Sequence, residues 1–345
     1  MAGMLSNPFK KGRKDDALSD SVKKLKTKFD QLKEKATHAV QNASRFEREA
    51  GRLSQEMESL KVLCGRIATA SMAPKPPGTP FSEIEFQVFS QWGEDGILQH
   101  LLHHLKAPHQ TFVEFGVESY VEANTRFLLQ KDNWRGLVLD GSEENVNRIK
   151  QDNLYWRHDL TAVASFITPE NINQLIRDAG FAGDLGILSV DVDGMDYWIW
   201  KAIDSVNPWI VVSEYNSVFG PDAAVTIPPD ASFMRSKAHF SNVFYGASLA
   251  ALEHLGREKG YVLVGCNSAG NNAFFLRRDI AGAFPIRTSA EAFVEAKFRE
   301  ARDPSGKLTF ASAAERREVI AACRVHDVRT GTVRTVREVW AGLKA

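Results

Sequence analysis

Four stretches decide the fold: Thr111-Phe112-Val113-Glu114-Phe115-Gly116-Val117-Glu118, Gly136-Leu137-Val138-Leu139-Asp140-Gly141-Ser142, Gly186-Ile187-Leu188-Ser189-Val190-Asp191-Val192-Asp193-Gly194-Met195-Asp196, and Trp209-Ile210-Val211-Val212-Ser213-Glu214-Tyr215-Asn216. Each is a short apolar run that meets a carboxylate at its end. Continuous runs of this length, bounded by turn residues, read as strands buried on both faces. Similar runs occur at 162–166, 261–264 and 273–276. Between them lie helical patterns at 94–105, 123–130, 145–151, 169–179, 197–203 and 247–259.

Strands that alternate with helices imply a parallel sheet covered on both faces. Only residues 265–272 separate the last two runs, too few for a crossover helix, so those runs predict an antiparallel hairpin. The expected fold class is therefore α/β: a mostly parallel seven-stranded sheet with an antiparallel last strand. In a doubly wound sheet, ligands bind beyond the carboxyl ends of the strands. Glu114, Asp140, Asp191 with Asp193, and Glu214 would all collect at that edge. Helix capping is the competing account for Ser142 and Asp196, but it does not readily explain four acidic strand ends in an already acidic segment.

Taken together, Ser90-Gln91-Trp92-Gly93-Glu94-Asp95, Val113-Glu114-Phe115-Gly116, Asp191-Val192-Asp193-Gly194 and Glu214-Tyr215-Asn216 resemble FkbM-type methyltransferases over roughly residues 86–279. The resemblance implies a Rossmann-like methyltransferase fold and S-adenosyl-L-methionine as cofactor. It carries Glu114 and Gly116 over to the first cofactor motif, Asp140 to the ribose acid and Asp191 with Asp193 to the acidic strand end near the reacting methyl; Gln91 and Ser142 complete the candidate cofactor set. Within that set, Glu114 would take the ammonium group and Asp140 both ribose hydroxyls, a bidentate role suited to a carboxylate. The loop 116–120 carries a single glycine, which departs from many methyltransferases. No G-x-G-x-x-G follows the first strand, and this excludes a nicotinamide fingerprint.

Methyl transfer to a hydroxyl needs an aligned acceptor and a route for its proton. The catalytic candidates are Asp193, Glu214 and His239, the last within an irregular segment at 217–245 expected to act as a lid. Asp193, Glu214 and Asn216 are oxygen donors of the kind Mg²⁺ or another divalent cation prefers. The competing account has Asp193 bond the substrate directly while Glu214 orients a turn. His100, His103 and His104 share a helix but have no accompanying carboxylates, which argues against a metal site there.

Toward the amino terminus, Leu18, Val22, Leu25, Phe29, Leu32, Ala36, Ala39, Ala43, Phe46, Ala50, Leu53, Met57, Leu60, Cys64 and Ile67 are spaced alternately by four and three. Such a repeat keeps one seam toward a partner helix in a left-handed coiled coil. Self-association into a homo-oligomer is expected, the alternative being a helix folded back on its own domain. The resulting division is a basic flexible tail at 1–14, a coiled-coil helix at 15–72, a Pro-rich linker at 73–80, a methyltransferase domain at 81–280 and a helical extension at 281–345.

Charge sharpens this division. Residues 1–75 carry 16 basic and 9 acidic side chains, residues 76–276 carry 13 and 25, and residues 277–345 carry 14 and 9. A central segment of net −12 would repel a phosphate backbone, so nucleic acid is not an expected partner. Lys10, Lys11, Arg13 and Lys14 support at most a weak association with an anionic membrane surface. Cys64, Cys266 and Cys323 are too widely spaced for a zinc knuckle or a disulfide framework. The expected protein is cytoplasmic, at most peripheral at the inner membrane surface. It O-methylates a sugar or glycan hydroxyl. Its alternatives are a methyltransferase for a lipid, polyketide or protein acceptor, and a non-catalytic oligomeric scaffold.

Overall fold

The structure is a computed structural model that describes residues 9–72, 75–105, 109–296, 298 and 301–343. It divides into two compact units, Met1–Lys61 and Val62–Ala345.

The first unit is helical. Helix α1 (Phe9–Met72) contains no proline, and its interior glycine Gly51 meets no neighbour. Leu18, Leu25, Phe29, Leu32, Phe46, Leu53, Met57 and Leu60 are all more than half exposed. Helix begins at Phe9, inside the stretch expected as a flexible tail. Residues 1–8 and the side chains of Lys10, Lys11, Arg13 and Lys14 lie outside the described residues.

The second unit begins inside α1. At Gly65 the helix meets the domain so closely that a Cβ would lie 2.5 Å from the Phe127 ring and 2.7 Å from Val88. Met72 is buried. Lys75, in the segment after it, also docks: its Nζ donates to the Glu83 carbonyl at 2.6 Å, and His104 Nε2 lies 2.9 Å from its carbonyl. The compact units therefore divide within the helix, ahead of the proline segment; of that segment, residues 73–74 lie outside the described set.

Strands β1 (Thr111–Phe115), β2 (Arg135–Asp140), β3 (Leu160–Ala164), β4 (Gly183–Val190), β5 (Val206–Glu214), β6 (Val225–Thr226), β7 (Tyr261–Cys266) and β8 (Asn272–Arg277) follow in chain order. Seven of them form one sheet in the order β3-β2-β1-β4-β5-β8-β7. Pairs among β1 to β5 are parallel, while β8 runs antiparallel to both β5 and β7. The reversed strand is thus last in sequence but lies one place in from the sheet edge.

Helices α2 (Glu94–Leu105), α3 (Arg126–Asp132) and α4 (Glu143–Gln151) bury Ile97, Leu101, Leu128 and Ile149 on one sheet face, with Phe112, Val138 and Phe274. After the short helix α5 (Asn153–Arg157), helices α6 (Ile172–Asp178) and α7 (Asp196–Ala202) cover the other face through Ile172, Ile176, Tyr197 and Trp200. Next come α8 (Arg235–Ala238) and α9 (Leu249–Glu258); α9 buries Leu252 and Leu255 on that second face.

The segment expected as an irregular lid is largely packed. Val218, Phe219, Val225 and Ile227 are core residues, and β6 pairs with β9 (Arg324–Asp327), which pairs in turn with β10 (Val333–Thr335). Residues 325–336, expected as one edge strand, are thus a turn between two short strands. Among the described residues of the helix expected at 290–301, only those of α10 (Ser289–Ala292) are helical; the next described helix is α11 (Ala313–Val319), and α12 (Val336–Leu343) follows β10. Among the described residues, no helix is long and apolar enough to cross a membrane.

Candidate active site

Parallel pairing brings four strand ends to one edge. Phe115 registers with Leu139, Glu114 with Ser189, and Val190 with Ser213. Glu114, Asp140, Asp191 and Glu214 consequently line one cavity of about 820 Å³, within the usual size range of small-molecule sites. Gln91, Gly116 and Asp193 line it too.

The first strand end is held by close backbone approach. Gly116 has φ +67°, and a Cβ there would lie 1.9 Å from the Asp191 carbonyl oxygen. Glu114 is spent largely on structure: its carboxylate accepts from Asn124 N at 2.8 Å, Thr125 N at 3.1 Å and Thr125 Oγ1 at 2.5 Å. Burial raises its pKa to about 7 against those bonds. Asp140 ties two loops together, accepting from Glu118 N at 2.8 Å, Ser142 N at 2.8 Å and Asn145 Nδ2 at 3.0 Å. Ser142 is the N-cap of α4, accepting from Asn145 N, and does not line the cavity.

The acidic centre differs from the one expected. Asp191, Asp196 and Glu214 each place a carboxylate oxygen within 4.8 Å of the others. Burial, reinforced for Asp191 and Glu214 by the other's or Asp196's charge, pushes Asp191 and Glu214 well above the carboxylate range and Asp196 to about 6. Glu214 Oε2 is buried without a hydrogen-bond partner. Asp196 also caps its turn, accepting from Val192 N at 2.8 Å and Gly194 N at 3.0 Å.

Asp193, at φ +53°, stays on the cavity wall but outside this cluster, accepting from Arg235 Nη1 at 3.0 Å. Asn216, expected as a ligand, is held in the backbone framework of its turn. Its Nδ2 donates to the Val243 and Tyr245 carbonyls, and its Oδ1 accepts from Val218 N. The oxygen set that converges is therefore Asp191, Asp196 and Glu214, in place of Asp193, Glu214 and Asn216. His239 does not line the cavity; its Nδ1 lies 2.7 Å from Ser241 Oγ, and burial lowers its pKa.

The motif at 90–95 supports the site from behind. Asp95 Oδ2 accepts from Val88 N, Phe89 N, Ser90 N and Ser90 Oγ. Glu94 Oε2 accepts from Trp92 N and Gly93 N, and its Oε1 accepts from Asn267 and Asn272, linking α2 to the β7–β8 hairpin.

The cavity wall also includes groups that sequence reasoning missed. Trp92 stacks on Phe298 with centroids 5.5 Å apart and planes at 13°. Arg235 lies 3.6 Å above the Tyr245 ring, and Phe233 packs against Gly194. Phe298 reaches the wall because the extension is pinned nearby: Tyr215 Oη donates to the Val294 carbonyl, and Ala296 N to Ser217 Oγ. The aromatic residues were visible as residues, but their meeting across 206 positions was not.

A seven-stranded, doubly wound sheet with this order and a reversed β8 is the Rossmann-like methyltransferase fold. No protein-family model and no curated protein matches the chain. Solved structures similar to it include an O-methyltransferase from Bacillus cereus in complex with SAH, at 13% identity and TM-score 0.36, covering 64% of this chain and 89% of that one. An S-adenosylmethionine-dependent methyltransferase from Clostridium acetobutylicum aligns at 9% identity and TM-score 0.35, covering 53% and 89%. An O-methyltransferase family protein from Burkholderia thailandensis aligns at 9% identity and TM-score 0.33, covering 59% of each.

Proposed function

We propose that the chain is an S-adenosylmethionine-dependent O-methyltransferase acting on a sugar or glycan hydroxyl, and that α1 assembles it into a homo-oligomer. The observation that carries the enzymatic reading is the buried, unpartnered Glu214 oxygen beside Asp191 and Asp196, on the wall of a cavity that also holds Gly116 and Asp140. The FkbM-type resemblance of residues 90–95 and the strand ends supports the same reading.

The residues suit the cofactor. Asp140 lines the cavity and, with three of its roughly four acceptor sites used, keeps one for a ribose hydroxyl, and Phe166 with Ile167 offers an apolar wall after β3. Glu114, already accepting three donors, would meet the ammonium group chiefly through charge. When bound, S-adenosylmethionine supplies an electrophilic methyl group.

The chain's own part is to hold the acceptor and receive its proton. A carboxylate whose pKa is raised toward neutrality is a better proton acceptor than an ordinary one. Glu214 and Asp191 fill that role; His239 faces elsewhere. The same three carboxylates fit a divalent cation, whose charge would relieve their repulsion and lower the pKa of an acceptor oxygen. A polyphosphate acceptor would be repelled here, because Arg235 is already engaged by Asp193. A neutral sugar fits, with its C–H face able to lie against the Trp92–Phe298 pair.

Calorimetric titration with S-adenosylmethionine separates enzyme from scaffold: binding is expected, and its absence in folded protein rejects the reading. Transfer of a labelled methyl group across a panel of sugars, lipids and peptides, with and without Mg²⁺, then tests the acceptor class. Labelling confined to lipids or peptides would reject the sugar.

A further inference from the structure

The exposed seam of α1 carries more than a tendency to self-associate, because its flanking charges are sorted along the helix. Leu18, Leu25, Leu32, Ala39, Phe46, Leu53 and Leu60 occupy heptad position d, and Val22, Phe29, Ala36, Ala43, Ala50 and Met57 occupy position a. The charged e and g positions of the first half are Lys26, Lys28, Lys33 and Lys35; those of the second half are Glu47, Glu49, Glu56 and Lys61. Arg52 touches Glu49 at 3.2 Å and Glu56 at 3.9 Å from the same helix, but both pairs are exposed and leave the carboxylates on the flank.

We propose that two copies of this chain pair through α1 as an antiparallel coiled coil in which Lys28 faces the partner's Glu56, Lys35 the partner's Glu49 and Lys33 the partner's Glu47. In an antiparallel pair, g positions meet g and e positions meet e, so one register satisfies all three contacts, and the two-fold axis repeats each of them. A slip of one heptad in either direction loses at least one contact, and in one direction it opposes Lys26 to the partner's Lys61. A parallel, in-register pair instead sets g against the following e. It opposes Lys28 to the partner's Lys33, which offsets the attraction of Glu56 for the partner's Lys61.

The apolar layers point the same way. In the proposed register, Ala36 faces the partner's Phe46, Ala50 faces the partner's Leu32, and Met57 faces the partner's Leu25. Phe46 thus meets alanine in place of a second Phe46, and Ala–Ala contact is confined to Ala43 against the partner's Ala39, while Phe29 faces the partner's Leu53. Parallel pairing would set Phe46 on Phe46 and leave four Ala–Ala layers at Ala36, Ala39, Ala43 and Ala50. The two copies of Val62, where the second unit begins, would lie roughly 63 Å apart along the axis at about 1.5 Å per residue.

This inference rests on the self-association proposed above, and the test separates the two. In full-length protein with Cys64→Ser, which removes the exposed thiol, Leu25→Cys and Met57→Cys are made in separate chains. Each is oxidised alone and after co-expression. The expected result is a disulfide-linked dimer only on co-expression. Dimers from either variant alone would mean parallel pairing and overturn the orientation while leaving self-association intact. A monomer by light scattering would overturn both. An oligomer with no crosslink in any arm would overturn the register. Where the oxidised variants fold poorly, nitroxide labels on Ser59→Cys provide a second measurement. The antiparallel pair places them roughly 54 Å apart along the axis, the parallel pair within about 20 Å, two helix diameters.

Discussion

Replacing Gly116 with alanine tests whether the cavity floor depends on the contact between β1 and β4. The new Cβ would lie 1.9 Å from the Asp191 carbonyl oxygen, where ordinary contact begins near 3.4 Å. One backbone segment must therefore give by about 1.5 Å, and neither is the end of a flexible side chain. The residue also sits at φ +67°, which costs an L side chain about 1–2 kcal/mol. Overpacking adds about 1–3 kcal/mol, so the expected loss is about 2–5 kcal/mol, or roughly 5–15 °C in Tm for a domain of this size. Because the displaced carbonyl belongs to Asp191, cofactor affinity should also fall by about tenfold or more, the equivalent of about 1.4 kcal/mol.

Gly183 is the matched control. It has φ +71° but nothing within 4 Å of a built Cβ, so Gly183→Ala should show the backbone penalty alone and leave cofactor affinity unchanged. Thermal melts and calorimetry on the two variants read the difference. Equal melting shifts with unchanged affinity in both would refute the close-approach argument, because strain would then account for everything.

The remaining predictions follow from burial, charge and the unit boundary. Glu114 is raised from 4.5 to about 7 by burial, so the folded state holds its proton more tightly than the unfolded chain. That stability is present below about pH 4.5 and lost as pH rises through about 7, amounting to about 3 kcal/mol. Denaturation midpoints of the wild type should accordingly fall relative to Glu114→Gln across this window, and parallel curves would exclude the effect. Removing residues 1–61 should leave a domain that melts within a few degrees of the full chain. Removing residues 1–78 exposes Phe127 and Val88 and should lower the melting temperature clearly; equal stability of the two truncations would deny the docking of Gly65. Binding of Mn²⁺, followed by water-proton relaxation, should weaken about tenfold or more in Glu214→Gln and hardly change in Asp193→Asn. The reverse order would return the ligand role to Asp193.

Local pattern made much of this domain legible in advance. The helix expected at 94–105 is observed over the same residues, as is the strand at 111–115, because a continuous apolar run or a helical repeat states its own period. The strand expected at 162–166 runs instead over 160–164, where Leu160 finds Gly136 as its partner. A strand's ends are set by its neighbour, which its own residues do not reveal. The acidic edge was legible for a related reason: parallel order alone brings the ends of β1, β2, β4 and β5 together.

The assignment of individual side chains was a different matter. Asn216 looked like a metal ligand until the carbonyls of Val243 and Tyr245, distant in sequence, claimed its amide. Asp193 and Asp196 are equally acidic on paper. At Asp193, in a left-handed backbone conformation, the carboxylate pairs with Arg235 on the cavity wall, while the helix start sets Asp196 beside Glu214. By itself, the sequence determined the succession of the seven strands of the main sheet, the acidic character of one sheet edge and the seam of α1, because each is carried by a pattern along the chain. Only the tertiary structure decided which carboxylates share a site, that Trp92 meets Phe298, and that the end of α1 belongs to the domain. Those outcomes depend on contacts between residues far apart in sequence, which no local pattern encodes.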